Sequence, residues 1–468
     1  MLMPMLSLTK KITKMTIKNN PTGNGFVLIA ISSLLLGLIF GVLGSVQYVY
    51  SGFLKNSLSF QKMRPLHVYL VINWIFTAAA GAIYYYVPYF SERKLYSTVL
   101  AKVHLWLQIV INLIVVIGFF FGIFGGREYL EFPPYIISLI ILAWILFMIN
   151  FFATVKPDYP KVPVYIWSWS TGLLFFLITI VEAQLWQIPF FNNNIIRDVT
   201  VQWKAMGSMV GAWNMLVYGT AMFVMEKATG DKNINRSTAA FFFYFLGLTN
   251  LMFNWGHHTY IVPSSGFVKT VSYVISMTET LILFNIIYSF RKTYLKTNPH
   301  RHFLSFRLLT YAEVWILLNL ILALTMSVPA INYYTHGTHI TVAHAMGATI
   351  GINTMLLLAS LVLIADDVIG EGIVKTKPFT WGIVVLNISL LIFWISLIGM
   401  GLCKIAALQQ HKGFYEVMDK LLPYFKIFAA SGAFILVGLI LVLVPLFKVF
   451  IKVALRVRTI ESDKVAID

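Results

Sequence analysis

Residues 332–346 read Asn332-Tyr333-Tyr334-Thr335-His336-Gly337-Thr338-His339-Ile340-Thr341-Val342-Ala343-His344-Ala345-Met346. This histidine-rich approach runs straight into an apolar stretch near 338–364. His344 therefore falls about two helical turns inside a segment long enough to cross a bilayer. Ionisable groups at that depth are costly and usually functional. Two questions follow: whether the whole chain is membrane-embedded, and whether other histidines share this depth.

Composition answers the first. Of 468 residues, 59% are hydrophobic and 11% charged, where a soluble chain has about 45–50% and 25%. Apolar runs lie near 26–50, 66–90, 98–125, 134–154, 164–186 and 201–227. Six more lie near 238–262, 266–290, 305–330, 338–364, 379–407 and 423–452. The pattern predicts an all-α integral membrane protein with twelve transmembrane helices. Residues 26–452 form one membrane domain, flanked by tails 1–25 and 453–468. A soluble enzyme and a β-barrel, whose apolar signal alternates, are excluded. The single cysteine, Cys403, excludes a disulfide scaffold, a Cys-rich zinc site and a Cys-ligated iron–sulfur cluster. It also excludes a C-x-x-C-H attachment of covalent haem.

The net charge of +17 reflects basic loops on one side of a bilayer and not nucleic-acid binding. Lys10, Lys11, Lys14 and Lys18, Arg291 to Arg301, and Lys448 to Lys464 all fall on that side. Both termini are expected in the cytoplasm. Gly37-x-x-x-Gly41 and Gly347-x-x-x-Gly351 permit close helix packing.

The histidines answer the second question. His67 is expected in the first turn of helix 2, His257 and His258 in the last turns of helix 7, and His344 in helix 10. Helices 2 and 10 enter from the outer side and helix 7 runs toward it, so all these histidines share the outer part of the membrane. Three helices with histidine at one depth point to metal or haem ligation; the alternative is a set of hydrogen-bonding core residues. His300, His302 and His411 read as solvated, and His104 as a core residue.

The ordered motifs carry a resemblance. They are Arg64-Pro65-Leu66-His67, Gly81, Tyr84-Tyr85-Tyr86-Val87-Pro88, Gly126-Arg127-Glu128-Tyr129-Leu130-Glu131, Thr229-Gly230, Gly256-His257-His258, and Asn332 to Thr338 running into Ala343-His344. From about residue 26 to 450 the chain resembles the haem–copper oxidase superfamily, most nearly the large subunit of cytochrome-c-dependent nitric oxide reductases. The resemblance implies two b-type haems, one low-spin and one high-spin, and a non-haem iron or copper. By it, His67 is an axial ligand of the low-spin haem and His344 the proximal ligand of the high-spin haem. His257 and His258 bind the non-haem metal. Glu131 with Glu128 resembles a calcium site, and the alternative is a charged surface loop. Glu279 matches a glutamate near the active site and is a candidate proton carrier. Glu182 and Glu313 are membrane-embedded carboxylates of open role, and Lys102 and Lys204 are expected to snorkel.

Two departures stand out. The family's second helix 10 histidine is Met346 here, two residues after His344. Side chains at i and i+2 point about 200° apart, so one helix can hold a haem on each side. A thioether is a competent axial ligand and raises the haem potential, which makes His67/Met346 the expected low-spin pair; the alternative is that Met346 only packs. On helix 6, Met206 stands where the family has its third metal histidine, and Val210 and Asn214 where it has glutamates. Met206 either completes a thioether-containing site, which suits copper(I), or packs. One class of oxygen reductase carries a tyrosine at the Val210 position, which disfavours that class here.

The resemblance implies reduction of two NO to N2O and water, with two electrons and two protons. A small c-type cytochrome subunit would donate the electrons, in the inner membrane of a bacterium. The competing readings are a family member that lost this chemistry and serves as a gas-binding or electron-transfer haem subunit, and a terminal reductase using O2.

Overall fold

Asn20 starts the first helix. Its side-chain oxygen accepts from the Gly23 N–H at 2.9 Å, Pro21 occupies the first helical position, and both features favour a helix start. Its amide also donates to the Tyr84 carbonyl at 2.7 Å, tying this start to the second helix. Residues 21–25 are therefore helix, which shortens the expected tail. The computed structural model describes residues 20–159, 161–294, 303–370, 372 and 374–465, with 282–294 and 456–465 as backbone only. Lys10 to Lys18, His300, Arg301 and His302 lie outside the described residues.

Among the described residues, twelve long helices follow one another: α1 (Pro21–Val49), α2 (Phe60–Ser91), α3 (Thr98–Phe120), α4 (Tyr135–Val155), α5 (Val164–Glu182), α6 (Ile195–Thr229), α7 (Thr238–Phe253), α8 (Gly266–Tyr294), α9 (Phe303–Ser327), α10 (His339–Ile369), α11 (Lys377–Gln409) and α12 (Phe414–Val465). Among the described residues, ten are long and apolar enough to cross a membrane; α7 and α8 are not among them. At 16 residues, α7 reaches only about 24 Å. Helix α12 continues to Val465, so the expected C-terminal tail is largely helical.

Helix α1 packs on α2 through its Gly37/Gly41 face. A Cβ at Gly37 would lie 3.1 Å from the Leu70 Cβ, so glycine eases this approach. Helix α3 docks differently. His104, Gln108 and Asn112 recur every four residues and form one polar stripe. Tyr84 Oη bonds His104 Nδ1 at 3.0 Å, Gln108 donates to Asn73 at 2.8 Å, and Tyr69 donates to Asn112 at 2.6 Å. Such interhelical bonds contribute on the order of 0.6 kcal/mol each in a membrane. His104 is thus a buried structural residue, as the sequence suggests. The opposite face of α3, with Val103, Trp106, Val110 and Ile117, is exposed as a lipid-facing surface would be.

Candidate haem and metal site

Three of the helix-terminal histidines stand elsewhere than expected. Helix α2 begins at Phe60, so His67 lies in its third turn and not its first. Helix α7 stops at Phe253, and His257 and His258 lie in a 3₁₀ segment, Asn254–Thr259. Local packing accounts for the stop. The Asn254 carbonyl accepts from Ser272 Oγ at 2.9 Å. A Cβ on Gly256 would lie 2.9 Å from the Ser272 Cβ. The chain is pressed against α8 and cannot continue its helix there.

This segment builds a two-nitrogen site. His257 Nε2 and His258 Nε2 are 3.1 Å apart. One ion about 2.0–2.1 Å from each nitrogen would subtend roughly 100° between them, so the pair fits a shared metal. In a 3₁₀ turn, side chains at i and i+3 eclipse, which puts Asn254 beside His257. Asn254 Oδ1 lies 2.9 Å from His257 Nδ1. An amide oxygen only accepts, so Nδ1 carries the proton and Nε2 presents its lone pair.

Helix α8 holds Asn254 in place from one face. Ser276 Oγ donates to Asn254 Oδ1, and the Asn254 amide donates to Glu279 Oε1 at 2.7 Å. Glu279 thus reaches the histidine pair through Asn254. Outer partners of this kind orient metal ligands, and losing one typically costs 10–100-fold in affinity or activity. Asn254→Leu is expected to weaken metal retention about tenfold or more, read as metal per chain against chelator concentration. Retention equal to that of the unaltered protein would rule out the positioning role.

Helix α6 closes the site with an aromatic ring. Trp203 stacks on His258, centroids 4.3 Å apart and planes 6° from parallel. One turn on, a Cβ at Gly207 would lie 2.6 Å from the Trp255 Cβ, and Ser208 donates to the Leu251 carbonyl at 3.0 Å. Met206 is buried in the main apolar core, with Val210 packed against that core. Asn214 accepts from Asn353 of α10 at 3.1 Å. Among the described residues, no group of three His, Cys, Asp or Glu side chains is arranged to hold a metal ion.

His344 is half-buried on α10, and its Nδ1 is buried without a hydrogen-bond partner. Met346 follows, half-buried at the edge of the core. The helix then widens into a π-turn, Gly347–Thr354, a feature common at functional sites. His344 and Met346 precede that turn, so their opposed directions hold. Gly347 and Gly351 let α9 press close, against Asn319 and Trp315. His67 is held as tightly. Its Nδ1 lies 2.7 Å from the Gly37 carbonyl, which makes Nδ1 the donor and leaves Nε2 as the free lone pair. That is the tautomer a haem ligand needs. The free Nε2 of His67 suits a haem iron, and the 3.1 Å spacing of the His257 and His258 nitrogens suits a non-haem ion.

The Glu128/Glu131 pair is already matched by a cation. Arg64 donates 2.9 Å bonds to one oxygen of each carboxylate. Burial pushes the Glu131 carboxyl above the usual carboxylate range, and the nearby Arg64 opposes that shift. Each carboxylate keeps its second oxygen, and Glu131 Oε2 is buried without a hydrogen-bond partner. Lys204, expected to snorkel, pairs with Glu182 beside a cavity of about 240 Å³ lined also by Trp255. Sequence reasoning missed Asn254, Trp203 and the Arg64 clamp. For Asn254 the signal was its three-residue spacing from His257.

Comparisons with known proteins bear on the family and the fold. Residues 22–435 match the family described as cytochrome c and quinol oxidase polypeptide I. A nitric oxide reductase subunit of Stutzerimonas stutzeri is 24% identical over 440 residues, 86% of this chain and 89% of that protein. The cbb3-type cytochrome c oxidase subunit CcoN1 of the same organism is 20% identical over 411 residues, 82% of this chain and 84% of that protein. A haem–copper terminal oxidase solved by electron cryo-microscopy as a dimer superposes with a TM-score of 0.70 at 14% identity. That match covers 95% of this chain and 84% of the oxidase chain. This membrane chain, with histidines presented from α2, the α7–α8 turn and α10, belongs to the subunit I family of the haem–copper oxidases.

Proposed function

We propose that this respiratory oxidoreductase reduces nitric oxide, joining two NO to N2O and water with two electrons and two protons. The observation that carries the reading is the His257/His258 pair, with nitrogens 3.1 Å apart and one tautomer fixed by Asn254. A haem on His344 and an ion on the pair would, when bound, supply the two reducing centres. The side chains around them do the rest. Glu279 stands one residue away from the pair, bonded through Asn254, where it can hold and deliver a proton. Trp203 covers one face of His258 and limits water there. His67, with Nε2 free, and Met346 would hold the relay haem. With one cysteine in the chain, electrons come from a separate protein, a small c-type cytochrome in this reading. The setting would be a bacterial inner membrane with both termini in the cytoplasm.

A second reading keeps the haems and drops the chemistry: a gas-binding or electron-transfer subunit. The Asn214–Asn353 bond favours it, because a neutral amide pair stands where an acidic residue would serve a metal. Haem and metal content decides between the two. Two non-covalent haems plus one further iron or copper per chain, with N2O formed from NO under reducing conditions, supports the reductase. Two haems without the extra metal and without N2O supports the second reading.

Met346→His tests the relay site. Replacing a thioether by imidazole lowers a haem potential. The low-spin haem is therefore expected to titrate at a lower potential and to lose the spectral signature of methionine ligation. An unchanged potential would mean that Met346 is not on the iron.

A further inference from the structure

We propose that His336 is the third protein ligand of the ion held by His257 and His258, replacing the ligand that α6 lacks. The proposal rests on the reading that the pair holds an ion. It begins with Trp203. His258 stacks on this indole, and His336 meets the same ring edge-on, centroids 5.7 Å apart at 70°. The two imidazoles thus gather round one side chain, with centroids 5.9 Å apart. A ring bound through nitrogen has its centroid about 3.2 Å from the ion, so two rings on one site lie no more than about 6 Å apart.

The free nitrogen points the same way. His336 Nε2 is buried with no hydrogen-bond partner, which is costly unless something takes it up. His336 and His344 both lie within electrostatic range of His257 and His258. Other candidates face other groups, although His339 Nδ1 is likewise buried without a hydrogen-bond partner. His339 packs against Phe425 of α12, Glu279 is bonded to Asn254, and Met206 sits in the apolar core. Two imidazoles leave an ion open on most sides, whereas three suit iron, copper or zinc.

The backbone at His336 is set: its N–H donates to the Asn332 carbonyl at 2.9 Å, at the end of the short helix Pro329–Thr335. Gly337 follows at φ +73°. Loading an ion closes the third position by turning the His336 side chain inward, with the main chain in place.

The test uses whole chains purified from native membranes, with haem per chain as the check on folding. Wild type, His257→Ala, His336→Ala and Met206→Leu are compared for non-haem metal by mass spectrometry. Affinity for cobalt(II) is then measured by chelator competition after metal removal. Wild type and Met206→Leu should carry one ion; His257→Ala and His336→Ala should bind cobalt at least ~100-fold more weakly, beyond the loss typical of an outer partner. In His336→Gly, added imidazole should restore cobalt binding and its visible spectrum. Full metal in His336→Ala, with loss in His257→Ala, overturns the third ligand and leaves the pair standing. A wild type without metal overturns both. Loss of haem with metal retained would assign His336 to the haem and equally overturn the proposal. If His336→Ala does not fold, cobalt binding by His336→Gly that ignores imidazole overturns it.

Discussion

His344→Ala is expected to leave the chain folded with one haem in place of two and to lower NO turnover at least ~1000-fold, about 4 kcal/mol of lost transition-state stabilisation. The fold should survive because the His344 ring is only half-buried, while Ile340 and Ala343 on the same helix are buried and hold α10 in the bundle. A truncation at a half-buried ring costs on the order of 1–3 kcal/mol, small beside the loss of a redox centre. Haem per chain and N2O formation are the measurements. Two haems with turnover intact would show that His344 holds no iron. Restoration of the second haem by added imidazole in His344→Gly would separate ligand loss from misfolding.

The second large effect is expected at Gly41, a residue that touches no cofactor. A Cβ there would lie 2.6 Å from His67 Nδ1 and 2.8 Å from its Cε1, closer than real side-chain contacts. Gly41→Val must therefore push the ring off the Gly37 carbonyl, now 2.7 Å away. With that bond gone, Nδ1 loses its acceptor and Nε2 loses its fixed direction. The low-spin haem is expected to be lost or spectrally shifted and the high-spin haem retained. Overpacking of this kind also destabilises by about 1–3 kcal/mol. Gly44→Ala is the control on the same helix, since its Cβ would meet the Met63 Cβ at an ordinary 3.7 Å. If both variants keep a normal low-spin spectrum, the cradle does not set the His67 ring.

These two positions mark how far the sequence reached. His344 was legible because a lone ionisable group inside an apolar run stands out in one dimension. Gly37 and Gly41 were legible only as a packing motif. Their use as a cradle depends on His67, 26 residues beyond Gly41, lying across the helix interface. The same distinction explains the misplacements. Hydropathy continues past Phe253, so the sequence extends helix 7 through the histidines, whereas contacts with Ser272 and Gly207 end it. Hydropathy also starts helix 2 late, because Gln61, Lys62 and Arg64 are polar. That turn is helical nonetheless, and Arg64 uses it to reach Glu128 and Glu131.

By itself the sequence determined the membrane class, the helical architecture and the family, since these follow from composition, run length and ordered motifs. Only the tertiary structure decided which groups surround the histidines. Asn254 beside His257, Trp203 over His258, His336 across the same indole and Arg64 between two carboxylates all depend on helices far apart in the chain meeting at side-chain range. A hydrogen bond or a stacked ring is fixed over a few ångströms, and no one-dimensional pattern carries that distance.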